Sequence, residues 1–229
     1  DHFRGFAGYW AVEAGQETAM EGEWRQGPGE ALFSALRAAL GDRATIMAED
    51  LGVITPDVVA LRENIGAPGM VVLQFAFDAN AHNPHKPHNH YANCYVYTGT
   101  HDNDTSLGWW QGATEEERER ALEYLGVGSA RAEDMPWALI EGAMASVAAT
   151  CILPLQDVMG LDNAARMNLP GTTEGNWAWR VEGGGVWGGL GGEAKHLREL
   201  AGRFGRNPPH IAPPGRRGVF HRGSVSFRG

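Results

Sequence analysis

Four short apolar runs punctuate the chain, and helical patterns lie between them. Gly27 to Gly41 encloses GPGEALFSALRAALG, whose apolar residues recur at helical spacing and whose Gly41 stands where a helix stops. In RATIMAEDLG, Thr45, Ile46 and Met47 read as a short buried strand that ends on the acidic pair Glu49–Asp50. Thr55-Pro56-Asp57 opens a second helix, with Thr as N-cap, Pro in the first turn and an acid near the positive end of the helix dipole. That helix should run to Gly66. Gly69 to Phe77 (GMVVLQFAF) and Tyr95 to Thr98 are the second and third strand-like runs, the latter leading into GTHDND. Thr114 and Glu117 form a capping box for a charged helix that ends near Gly126. Pro136 to Thr150 reads as a buried helix, and Cys151 to Leu153 as a fourth strand leading into PLQDVMGL.

Buried strands that alternate with helices predict an α/β fold with a parallel sheet. In such folds the functional site lies at the carboxyl ends of the strands. Here each strand runs into a polar cluster: AED, FDAN, THDND and LQDV. One acid after one strand means little. Four polar strand ends on one side of a sheet predict an acid-lined pocket. A complete (β/α)8 TIM barrel needs about 250 residues, so a chain of 229 residues suits only part of one.

Composition narrows the partners. A formal net charge of -9 disfavours nucleic acid and anionic membranes. A neutral substrate fits without strain. Two cysteines, Cys94 and Cys151, do not make a disulfide framework, and a reducing compartment is the default. No apolar run approaches the roughly 20 residues of a membrane span, and no signal peptide is visible. The chain opens on Asp rather than Met, as a processed product or a truncated reading frame would. Of the eight tryptophans, each one alone is better read as core or interface filling; Trp177 is the strongest for sugar stacking. His82, His85, His88, His90 and Cys94 look like a metal-ligand list, but Pro84 and Pro87 keep the segment extended and no metal site is expected. The glycine-rich stretch around EGGGVWGGLGG matches no nucleotide-binding spacing and reads as a loop before a helix. Composition also divides the chain: residues 203–229, with six Arg and no acid, form a tail expected to be disordered, set apart from residues 1–202, which are expected to be part of a barrel.

Paired carboxylates at strand ends suit glycosyl transfer. The leaving oxygen needs a proton, and the oxocarbenium-like carbon needs an anion. In retaining enzymes the two carboxyl groups lie about 5–5.5 Å apart, and one becomes a covalent nucleophile.

DHFRGF with YW, AEDLG, VLQFAFD, TGTHDND, LPLQDVMGL and MNLPGTTEGNWAWR occur in that order. Together they resemble the amylomaltase or disproportionating-enzyme family, glycoside hydrolase family 77, over roughly residues 1–200. The resemblance implies the second half of a TIM barrel, about its fifth to eighth strands. It implies a retaining 4-α-glucanotransferase that moves α-1,4-glucan segments to an acceptor glucan or glucose, with no cofactor. Asp1 then matches the nucleophile, Glu49 the general acid/base and Asp102 the transition-state stabiliser. His2, Asp78 and His101 match positions that bind the donor sugar, and Asn168 lies in a loop that lines the sugar groove. The Arg that stands two residues before the family's nucleophile has no counterpart here. These residues alone are therefore expected to be inactive or nearly so and to self-associate through open sheet edges. A related α-glucan hydrolase or debranching enzyme, and a non-catalytic glucan-binding remnant, remain the other readings. The expected location is the cytoplasm, or the plastid in a plant or alga.

Overall fold

The computed structural model describes residues 2–41, 45–128, 131–181 and 189–207. The fold is α/β. A short helix α1 (Arg4–Ala7) leads into an antiparallel hairpin, β1 (Gly8–Ala11) and β2 (Glu23–Gln26), in which Trp10 faces Trp24 across the ladder. Helix α2 (Gly29–Leu40) ends as expected at Gly41, whose φ of 60° suits glycine. Helix α3 (Pro56–Asn64) starts behind Thr55 with Pro56 in its first turn.

A three-stranded parallel sheet follows, in the order β3 (Gly69–Val72), β4 (Cys94–Tyr97), β5 (Thr150–Ile152). All four β3 residues are buried, as a strand covered on both faces requires. Helix α4 (Ser106–Gly112) is capped by Thr105, whose hydroxyl accepts from the Gly108 amide at 3.1 Å. Helix α5 (Glu115–Leu125) carries the full Thr114–Glu117 capping box and closes on Gly126 in the left-handed region. Helix α6 (Met135–Ala145), the short α7 (Leu155–Val158) and α8 (Gly191–Arg203) complete the order.

Apolar clusters of buried side chains hold these parts. Val71, Val96, Trp110, Ala121, Met135 and Leu139 join the sheet to α4, α5 and α6. Each fully buried side chain of this size contributes about 1.5–3 kcal/mol relative to exposure. Phe3, Phe33, Val58, Leu61 and Ile65 join α1, α2 and α3. Ile140, Met144, Val158 and Leu200 seat α8 against α6 and α7.

Three expectations change. The strand foreseen at Thr45–Met47 does not form a ladder. Residues 45–48 are irregular, and pairing shrinks to the His2–Glu49 bridge plus the Ala48 amide on the Pro68 carbonyl at 2.9 Å. Pro68 has no N–H to return, so the pairing cannot extend there. The foreseen strand Gly69–Phe77 is cut to four residues, because Leu73–Phe75 coil into a 3-10 turn. The described residues also run past residue 203. Arg206 donates to the carbonyls of Met144, Ser146 and Ala148 at 2.6 to 3.0 Å, which ties the end of α8 to α6. Residues 208–229, most of the expected tail, lie outside the described residues.

Candidate active site

The carboxyl ends of β3, β4 and β5 open onto one cavity of about 1070 Å³. Four of the expected residues line it: His2, Glu49, His101 and Asp102. Phe75 and Trp177 add aromatic walls.

Glu49 is placed by backbone bonds. Its carbonyl accepts from the Phe3 amide at 2.8 Å, which sets DHFRG beside AEDLG in parallel register with His2 opposite Glu49. Among the described residues, no group donates a hydrogen bond to the Glu49 carboxylate. Its neighbour Asp50 has a different fate. Asp50 accepts from the Met70 amide at 2.7 Å and pairs with Arg62 at 3.2 Å, both side chains nearly buried. Arg62 also donates to the Tyr91 hydroxyl. Of the acidic pair, one carboxylate is structural and the other is left for the cavity.

Asp102 sits in the loop that follows β4. Asn168 Nδ2 donates to its Oδ1 at 2.6 Å, and His101 Nε2 lies 3.4 Å from the same oxygen. The Asn168 amide donates to the His101 carbonyl at 3.0 Å. Asn168 is not on the cavity wall; it reaches the site through Asp102. The Trp177 ring lies tilted against His101 with centroids 5.0 Å apart, and Trp177 has φ of 60°, the only non-glycine residue with positive φ among the described ones. Such a conformation costs about 1–3 kcal/mol and clusters at ligand sites. Its amide is fixed on the Met167 carbonyl at 2.7 Å.

The structure does not bring Asp78 to this cavity. Asp78 accepts from Lys86 Nζ through its backbone carbonyl at 2.8 Å, with its carboxylate 3.8 Å from the same ammonium. Asp1 lies outside the described residues.

The histidine-rich segment is occupied by local bonding. His85 Nδ1 accepts from the Val72 amide, His88 meets the Tyr124 hydroxyl, and His90 joins Ser146 to the His85 carbonyl. Among the described residues no three His, Cys, Asp or Glu side chains converge as metal ligands. Cys94 and Cys151 are free, and burial pushes each thiol up to about 11, so neither is a thiolate near neutral pH.

The sequence profile of glycoside hydrolase family 77, described as 4-alpha-glucanotransferase, matches residues 1–184. The chain belongs to this family. It is 52% identical over 206 residues to the chloroplastic/amyloplastic 4-alpha-glucanotransferase of Arabidopsis thaliana, covering 90% of this chain and 35% of that protein. It is 50% identical to the 4-alpha-glucanotransferase of Synechocystis, over 89% of this chain and 40% of that protein. With the Thermus thermophilus 4-alpha-glucanotransferase it shares 51% identity over 79% of this chain and 37% of that protein. The amylomaltase of Streptococcus agalactiae, solved with acarbose, superposes with a TM-score of 0.82 at 32% identity, over 91% of this chain and 41% of that one. The chain thus spans about 35–40% of these relatives' length.

Two further residues of this family member matter at the site. Asp157 is buried and bonds both stems of the Asp102 loop: the Thr98 hydroxyl donates to it at 2.5 Å and the Ser106 amide at 2.7 Å. Burial raises its pKa, while these bonds pull the other way. Arg166 binds the middle of the loop, donating to Asp104 Oδ1 at 2.5 Å and to the Asp102 carbonyl at 2.6 Å. LQDV did flag Asp157 as a polar strand end, but its role needed the fold.

Proposed function

We propose that this chain supplies the acid/base and stabilising side of a retaining 4-α-glucanotransferase acting on α-1,4-glucans. The observation that carries the reading is the meeting of His2, Glu49, His101 and Asp102 in one cavity at the strand ends. Membership of the family supports it. In this reading the three parallel strands and the Glu49 segment are the fifth to eighth positions of a barrel.

Two displacements follow. Asp1 attacks the anomeric carbon as Glu49 gives its proton to the departing glucan oxygen. The 4-hydroxyl of an acceptor glucan then loses its proton to Glu49 and attacks the same carbon, releasing the Asp1 carboxylate with net retention. Asp102, oriented by Asn168, accepts hydrogen bonds from sugar hydroxyls that strengthen as positive charge develops at the anomeric carbon. His2 and His101 hold the same sugar, and Trp177 offers a face for stacking. Asp78 serves here only if Lys86 releases it. No cofactor or metal takes part. The partners are maltooligosaccharides, with no role for nucleic acid or membrane; no helix among the described residues is long and apolar enough to cross a membrane. The setting is the cytoplasm, or a plastid as the plant relatives' names have it. Alone, these 229 residues expose apolar side chains such as Ile152 and Trp24, and are expected to turn over little or no glucan and to self-associate.

The test joins the preceding portion of the Thermus thermophilus relative to this chain and supplies maltotriose. Longer glucans together with glucose are expected. Glucose alone would mark a hydrolase, and binding without turnover a glucan-binding remnant.

A further inference from the structure

His85 lies between Val72 at the end of β3 and the cavity, and its bonding fixes where its ring proton sits. The Val72 amide can only donate, and its acceptor is His85 Nδ1 at 3.1 Å. Nδ1 therefore carries the lone pair, and the neutral ring must hold its proton on Nε2. Nothing among the described residues accepts from that Nε2–H, and His85 is one of the residues that face the cavity.

The ring cannot easily turn away. Phe75 meets it edge-on, with centroids 5.3 Å apart. The His85 amide donates to Asn83 Oδ1 at 2.8 Å, its carbonyl is bonded to His90 Nε2 at 2.9 Å, and Asn83 Nδ2 holds the Phe75 carbonyl at 2.7 Å. The ring also stays neutral. Burial and the neighbouring His90 push its protonation down to about 4, against a weaker upward pull from Asp50 and Asp78. The cavity thus contains one oriented, uncharged N–H donor beside an exposed phenyl ring. A sugar offers hydroxyl acceptors next to an apolar C–H face, and the pair matches both.

We propose that His85 Nε2–H donates a hydrogen bond to a hydroxyl of the bound glucan while Phe75 packs against that sugar's apolar face. This rests on the glucan reading above and adds a contact on the β3 side of the cavity.

Two substitutions separate the contact from the fold. In His85→Asn the side-chain oxygen can still accept from the Val72 amide, but the outward donor is lost. In His85→Gln the amide N–H reaches to where Nε2–H stood. Ring nitrogen NMR of the 229-residue chain, labelled at histidine and titrated with maltotriose, reads the site directly. The expected result is a proton on Nε2 at pH 6 to 8, an Nε2 signal that shifts with sugar, a Kd about tenfold weaker in His85→Asn and a Kd near the parent's in His85→Gln. A proton on Nδ1, or His85→Asn binding as tightly as the parent, overturns the proposal. If the His2 or His101 signals shift while His85 does not, the proposal falls alone. If no signal shifts, the glucan reading falls with it.

Discussion

Asp102 and Glu49 face one cavity but are held by different means. The Asp102 loop is bonded at both stems through Asp157, at its middle through Arg166 and at the carboxylate itself through Asn168. It follows a strand with ladder partners on both sides. The Glu49 segment has one bond to Phe3, one to Pro68 and a buried ion pair at the next residue, and its carboxylate meets no donor among the described residues. An oriented anion suits a group that must stay charged and in place while hydroxyls bond to it. An unbonded carboxyl suits a group that must take up and give away a proton. The contrast teaches that side-chain networks fix one half of the cavity, while the other half depends on backbone pairing.

The largest break is chemical. Asp102→Asn in the fused enzyme keeps the Asn168 neighbourhood but removes the charge, and maltotriose turnover should fall about 10²–10³-fold. Next comes pH. The unfolded His85 ring takes up a proton near 6.5, the folded one only near 4. As pH falls below 6.5 the unfolded state binds that proton first, so stability present above 6.5 is lost on the way to 4, by about 3 kcal/mol for this group. His90, also lowered by burial, acts in the same sense. Asp157, with its pKa raised, acts in the opposite sense. Urea unfolding of parent and His85→Asn between pH 7 and 4.5 isolates the term: the variant should lose clearly less stability.

Asp157→Ala leaves the Ser106 amide and the Thr98 hydroxyl without their buried acceptor. It should cost about 2 kcal/mol in the same unfolding assay, whereas Asp157→Asn keeps an acceptor and costs less. The smallest effect is at Arg166. Arg166→Met frees the middle of the loop and should lower turnover of the fused enzyme about fivefold with little change in unfolding midpoint. Lysine should not rescue it, because one ammonium cannot span Asp104 and the Asp102 carbonyl as the guanidinium fork does.

Local signals carried much of this fold. Thr114 with Glu117 and Gly126 bracketed α5, Thr55-Pro56 opened α3 and Gly41 closed α2, because capping and backbone freedom are decided within one helical turn. Thr45–Met47 misled because the partner that limits its pairing, Pro68, is distant in sequence. The strand ends pointed to the cavity, and the family resemblance picked Glu49 over Asp50. No pattern revealed Arg166, nor the locked ring of His85, since each depends on contacts across 13 to 64 residues of sequence. Asp78 shows the reverse limit: a polar strand end that the structure turns toward Lys86.

The proposed mechanism rests most heavily on Glu49 as the group that moves the proton. The direct measurement is maltotriose turnover and acarbose binding by the fused enzyme with Glu49→Gln. Turnover should fall about 10²–10⁴-fold with binding retained. Turnover equal to the parent's would contradict it.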